Sequence, residues 1–263
     1  MDINYIILAH KNPEQLKRLI ESLQDNWVRF YIHIDRNISK EPFENHLKNI
    51  PNLYFLKDHE RMPGIWGDIG IVEGTINAMK RIIQDNRKGF TILLSGQDYP
   101  LKNNLYIRRF FEKSSTSAYI TLYPLPSTNI KGGGMERITK YKINKATSRG
   151  YFLLLSSLFE KDFYTKETLG KLNYLRKTGK WKELKKIFIK RKFPKNIKPY
   201  AGGVYCALSI KIIKKILAFI GSHPNYLEYH RYTLCADEIF FHSIIPYLQK
   251  NQLKFKLKIP TNK

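Results

Sequence analysis

Two carboxylates stand side by side in Cys235-Ala236-Asp237-Glu238-Ile239-Phe240-Phe241-His242, directly ahead of an apolar run with helical character. An acid there can take a proton from a substrate hydroxyl if the helix end opens on a cleft. The helix dipole favours a carboxylate at that position in any case, so the pair needs company before it implies chemistry. Two more acids follow apolar runs of strand length. Asp35 closes Phe30-Tyr31-Ile32-His33-Ile34, and Asp98 lies in the turn Ser95-Gly96-Gln97-Asp98-Tyr99-Pro100-Leu101 that ends the run from Phe90. Ligands bind outside the carboxyl ends of strands in open α/β sheets, and an acid ending the second strand of a mononucleotide-binding half meets a ribose hydroxyl. His10 and His33 also fall near strand ends, where they either flank a base or phosphate or simply pack.

Several chemistries lack their residues. No Gly-x-Gly-x-x-Gly follows the first strand and no Gly-x-x-x-x-Gly-Lys-Ser/Thr occurs, so the dinucleotide and P-loop readings lose their main support. No Asp-x-Asp pair is available to hold a divalent metal on a diphosphate, Asp58-His59-Glu60 being the nearest imitation. Lys, Arg or backbone amides would then meet that charge. Cys206 and Cys235 have no metal-ligand spacing and are too few for a disulfide framework. The expectation is no metal and no cofactor.

The elements that must position these residues follow from periodicity. Ile3–Ala9 reads as a strand, Asn12 and Pro13 as a helix start, and Leu16, Leu19, Ile20 and Leu23 as one helical face. The strand ending at Asp35 completes a β-α-β unit. A third strand over 52–56 leads to a loop with Pro63, Gly64 and Gly67. Asp68 is the expected cap of the helix carrying Ile69, Val72, Ile76, Met79 and Ile83. The strand from Phe90 follows, then a helix capped by Asn103 or Asn104, and a strand over 118–123. Ser209 is the expected cap of a helix from Ile210 to Gly221, and 236–248 is the last helix. The alternation predicts an α/β fold with a mainly parallel central sheet and helices on both faces.

The chain has 46 Lys plus Arg against 22 Asp plus Glu, a formal charge of +24. The stretch from Lys131 to Lys198 holds 20 basic and 5 acidic residues, well over half of that excess. It reads as a basic insertion at about 131–199 within a single domain spanning 1–263. Such charge suits anionic partners and says nothing of fold. The N-terminus shows no signal-peptide pattern and no apolar run approaches a membrane span, so the expected location is cytoplasmic, peripheral at the inner face of a membrane.

Four blocks in order, Tyr5-Ile6-Ile7-Leu8-Ala9-His10, Tyr31-Ile32-His33-Ile34-Asp35-Arg36, Trp66-Gly67-Asp68 and Leu94-Ser95-Gly96-Gln97-Asp98-Tyr99-Pro100-Leu101, resemble the core-2/I-branching enzyme family. This is glycosyltransferase family 14, which also contains the peptide O-xylosyltransferases. Tyr200-Ala201-Gly202-Gly203-Val204-Tyr205 and Ala236-Asp237-Glu238 look like its later blocks. The resemblance implies a GT-A-type, Rossmann-like nucleotide-sugar fold and inverting transfer from a UDP-sugar to a glycan acceptor without a metal. Glu238 matches the catalytic base. His10, Asp35 and Trp66 are carried over to the nucleotide pocket, and Asp98, Glu136, Arg137 and Asp237 to the sugar and acceptor side. N-acetylglucosamine is the expected donor sugar, with xylose the alternative, and a surface polysaccharide is the expected acceptor. The chain departs from the family after the last helix, where it ends Pro260-Thr261-Asn262-Lys263 without the expected Arg- and Lys-bearing segment; Arg137, Lys140 and Lys198 are the candidate substitutes. A basic nucleic-acid-binding protein and an inactive glycan-binding relative are the readings from other classes. No recognised nucleic-acid module is present, so no nucleic acid is expected as partner.

Overall fold

Along the chain the elements run β1 (Ile3–Ala9), α1 (Pro13–Leu23), β2 (Val28–Ile34), α2 (Glu41–Leu47), β3 (Leu53–Phe55), α3 (Gly70–Gln84), β4 (Phe90–Ser95), α4 (Asn104–Glu112), β5 (Thr116–Ile120) and β6 (Tyr123–Pro124). There follow α5 (Glu136–Thr139), β7 (Tyr141–Asn144), β8 (Phe152–Leu155), α6 (Lys166–Lys177), α7 (Trp181–Leu184), β9 (Tyr200–Ala201), β10 (Cys206–Ser209), α8 (Ile210–Ser222), α9 (Pro224–His230), α10 (Phe240–Asn251) and β11 (Lys256–Lys258). The computed structural model describes residues 1–251 and the backbone of 256–258, so the terminal Pro260–Lys263 stretch lies outside the described residues.

β1 and β2 are mostly apolar and almost wholly buried, broken only by Asn4, Arg29 and His33, because both of their faces are covered. They pair in parallel with Ile3 opposite Val28, and β4 joins the other side of β1 with Phe90 opposite Ile3. The central sheet has the order β11-β5-β10-β4-β1-β2-β3. β10 enters antiparallel between β4 and β5, while the remaining pairings are parallel. Tyr5, Ile7, Phe30 and Ile32 face a core completed by α1, α2 and α4; Ile6 and Tyr31 face the opposite core under α3, α8 and α10. Each fully buried aliphatic side chain contributes roughly 1.5–3 kcal/mol, so this alternation fixes which way every strand exit points.

Local details differ from the sequence reading. Asn12 occupies the cap position of α1 in a left-handed conformation without capping it, and its amide instead donates to Gln97 Oε1 at 3.3 Å. Asp68 does not cap α3, which begins at Gly70 with Ile69 at the cap; its carboxylate is drawn elsewhere by cations described below. The expected strand over 118–123 ends at Ile120, and Tyr123–Pro124 pairs instead with Tyr200–Ala201. Ser209 sits at the cap of α8, but its hydroxyl makes no capping bond. The last helix starts at Phe240, preceded by a separate 3-10 turn over Ala236–Glu238. Inside the basic segment, β7 and β8 form a hairpin with its own core of Tyr141, Ile143, Leu153, Leu155 and Leu175.

Candidate active site

The acid pair lies on that 3-10 turn, and the turn is held by partners distant in sequence. Cys235 N–H donates to Gly67 O at 2.9 Å, Leu234 N–H to Arg137 O at 3.0 Å, and Gly202 N–H to Glu238 O at 2.9 Å. Gly67 has φ +72, and a Cβ there would stand 3.1 Å from the Leu234 side chain, so glycine lets the two loops meet. The backbone of Glu238 is fixed, whereas its half-buried carboxylate reaches Arg137 Nη1 at 2.5 Å. Asp237 beside it has a buried Oδ1 without a hydrogen-bond partner. Burial, and then the charge of Glu238, push its carboxyl up to about 6.

The Trp66-Gly67-Asp68 loop is anchored to the β7–β8 hairpin. The Lys142 ammonium, almost wholly buried, donates to Trp66 O at 3.1 Å and pairs with Asp68 Oδ1, while Asn144 Nδ2 donates to Asp68 Oδ2 at 2.6 Å. This explains why Asp68 is unavailable as a cap. The indole of Trp66 remains partly exposed, with Phe152 at 5.9 Å between centroids and the Arg149 guanidinium 5.3 Å from its ring. An aromatic platform with a cation beside it can pack a ring and meet an anion.

The strand exits form a second cluster. Asp35 N–H donates to Ala9 O at 2.9 Å, which brings Asp35 beside the start of the His10 turn; His10 itself is exposed. Asp35 Oδ1 accepts from Asn37 N–H at 2.9 Å, and a Cβ on Gly64 would come within 2.8 Å of Oδ2. Arg61, buried, holds the loop by donating to the carbonyls of Ile34, Asp35 and Ile38 and pairing with Asp58 at 2.8 Å. His33 packs beneath: its Nε2 accepts from Met62 N–H at 2.9 Å and burial lowers its pKa to about 4, so it is a structural histidine. Gly96 N–H donates to Leu8 O at 2.9 Å, which sets the β4 turn against the end of β1. Within that turn Asp98 Oδ2 accepts from Ser95 N–H at 2.7 Å, so one oxygen of Asp98 closes its own loop.

The structure thus brings Trp66, Arg137, Asp237 and Glu238 into one assembly, and His10, Asp35 and Asp98 to neighbouring strand ends. Glu136, beside Arg137 in the chain, borders a groove of about 640 Å³ together with Lys140, Phe152 and Tyr174. Of the candidate cations, Lys140 is paired with Asp162 at 2.6 Å and Lys198 lines a different cleft with Tyr200 and Tyr247. Among the described residues, no group of three or more His, Cys, Asp or Glu could hold a metal ion. Arg61, Lys142, Asn144 and Arg149 were invisible in the sequence reading; only the Asp58–Arg61 spacing of three carried any signal.

The fold is a doubly covered, mainly parallel α/β sheet with acids gathered at its carboxyl edge, the edge at which such sheets bind ligands. The chain belongs to the Core-2/I-Branching enzyme family, a family of glycosyltransferases, whose profile matches residues 3–257. Xylosyltransferase 2 of Rattus norvegicus and that of Mus musculus are each 26% identical to it over 145 residues, 52% of this chain and 16% of theirs. Among solved structures, a 4-diphosphocytidyl-2C-methyl-D-erythritol synthase from Anaerococcus prevotii aligns with TM-score 0.45 and 11% identity, covering 98% of this chain and 86% of that one. A putative glucose-1-phosphate thymidylyltransferase from Bacillus anthracis, in complex with a sucrose, aligns with TM-score 0.37 and 10% identity, covering 98% and 87%.

Proposed function

We propose that this chain is an inverting glycosyltransferase of the GT-A type that moves a sugar from a UDP-sugar to a glycan hydroxyl, with Glu238 as general base and no metal ion. The observation that carries the reading is the contrast at Glu238. Its backbone is locked to Gly202 and, through the turn, to Gly67, while its carboxylate is partly solvent-accessible and, among the described residues, pairs with the Arg137 guanidinium. A general base needs that combination of fixed origin and reachable oxygen.

In the proposed step the Glu238 carboxylate accepts the proton of the acceptor hydroxyl as that oxygen bonds to the anomeric carbon. The bond from this carbon to the diphosphate breaks on the opposite face, and UDP leaves with the electron pair. One displacement inverts the configuration. Asp35 and His10 serve the nucleoside from the ends of β2 and β1, and Trp66 packs against the donor. Asp98, Glu136, Arg137 and Asp237 contact the sugar and acceptor, with Arg137 moving from Glu238 to substrate oxygens. The sequence has no Asp-x-Asp, which supports neutralisation of the diphosphate by side-chain cations.

N-acetylglucosamine is the proposed donor sugar. Xylose is the second reading, favoured by the similarity to the rat and mouse xylosyltransferase 2. UDP release by the purified protein, measured with UDP-N-acetylglucosamine, UDP-xylose and other UDP-sugars over a panel of oligosaccharide acceptors, tests the proposal. Release with one donor that vanishes in Glu238→Gln is the expected result. No release with any pair, alongside tight salt-sensitive binding to RNA or DNA, overturns it in favour of a nucleic-acid-binding protein.

A further inference from the structure

Helix α4 is apolar on two sides. Phe111 is buried in the core beneath the sheet and Ile107 packs against it, as expected of a surface helix. Its outer side nevertheless carries Leu105, Tyr106 and Phe110, all exposed. The loop before it adds Tyr99 at 60% and Leu101 at 96% exposure. Large apolar side chains grouped in this way on a surface mark an interaction site.

The same face is cationic. Arg109 and Lys113 line a shallow groove of about 420 Å³ with Leu105, Tyr106 and Phe110. Lys102 lies 5.4 Å from the Tyr106 ring. No acid occurs from Tyr99 to Phe111, and Glu112 is engaged by Arg108 at 2.8 Å and by the N-terminal ammonium at 3.1 Å.

Charge and side-chain type together select the occupant. An isologous contact with a second copy would set this cationic face against its own kind. Single-stranded nucleic acid binds such surfaces by stacking on π faces, which the most exposed of these side chains, Leu101, and Leu105 on α4 do not have. A lipid interface suits all of them: leucines and Phe110 enter below the headgroups, tyrosines sit at headgroup level, and Lys and Arg meet lipid phosphates. We propose that residues 99–113 form a docking face for an anionic lipid bilayer. The loop that docks is the direct continuation of the β4 turn, so attachment would bring the carboxyl edge of the sheet close to the membrane. The basic segment at 131–199 is not the primary contact in this arrangement. The proposal does not depend on the reaction assigned above.

Co-sedimentation with phosphatidylcholine vesicles, with and without phosphatidylglycerol, tests it. Expected is binding to phosphatidylglycerol-containing vesicles only, weakened about tenfold or more by the exposed-site double variant Leu101→Ser/Leu105→Ser with an unchanged melting temperature. Lys102→Gln/Arg109→Gln/Lys113→Gln should weaken binding and flatten its salt dependence. Lys182→Gln/Lys185→Gln/Lys192→Gln, which removes equal charge from the basic segment, should cost clearly less. Undiminished binding by the leucine variant overturns the proposal, as does a larger loss from the basic-segment variant. Binding to polyuridylate without binding to vesicles, lost with the same leucine or cation substitutions, overturns it in favour of nucleic acid.

Discussion

At Glu238 a fixed backbone meets a movable ion pair, and the neighbouring Asp237 sets the electrostatic cost. On the proposed role of Glu238 as general base, its replacement by Gln keeps the shape and removes the proton acceptor, so kcat should fall about a hundred- to ten-thousandfold with the donor KM nearly unchanged, read from steady-state UDP release. Asp237 makes a prediction about stability. Its carboxyl rises from 3.8 unfolded to about 6 folded, so the folded state favours the protonated form. The stabilisation is complete below pH 3.8 and lost as pH rises through about 6. Asp237→Asn should therefore raise the melting temperature above pH 6, by an amount on the order of 1–3 kcal/mol of stability, and the gain should vanish near pH 4. The residues that announce themselves in sequence are those whose type is rare in its setting, such as the adjacent acids 237 and 238. Lys142 does not, because its partner Asp68 is 74 positions away and a lysine in a basic stretch looks solvated.

The hairpin β7–β8 and the loop before α3 behave as one piece because Lys142 joins them. Removing one member of a buried ion pair strands the other, typically at about 3–5 kcal/mol. Lys142→Met should approach that loss in urea denaturation, and adding Asp68→Asn should recover part of it, since the remaining carboxylate is no longer charged. Gly202→Ala probes the other wall of the turn. Its Cβ would lie 1.9 Å from Thr121 O, a backbone atom, so β9 or the turn must shift, and the loss should reach the usual overpacking range of about 1–3 kcal/mol or exceed it. Strands β1, β2 and β4 were legible because burial on both faces demands runs that are apolar at most positions. The break between Glu238 and Phe240 was not, because the one helix breaker in Ala236–Leu248, Pro246, stands well inside α10 and not at the break. Tertiary bonds from Gly202 and Gly67 impose it.

Across the whole molecule, buried histidines set the acid limit. Burial lowers His33 and His242 to about 4 and His230 well below its ordinary value, so each is held neutral. A depressed histidine stabilises fully above its unfolded value of 6.5 and loses that contribution as pH falls through the folded value. Three such groups outweigh Asp237, whose sign is opposite, and the melting temperature should drop as pH is lowered from 6.5 towards 4. The formal charge of +24 adds self-repulsion that salt relieves, so moderate salt should raise the melting temperature. The two cysteines belong to this scale as well. Both are free and buried, and burial pushes both thiols up to about 12, which makes them poor nucleophiles in the native state. Cys206 lies on β10, between β4 and β5, whereas Cys235 lies on the turn that Gly67, Arg137 and Gly202 hold through backbone bonds. Each sulfur becomes alkylable when its own surroundings open. The chain therefore carries two built-in clocks, one timing the rupture of the sheet and one the breathing of the turn that bears Glu238, readable by mass as each thiol is alkylated.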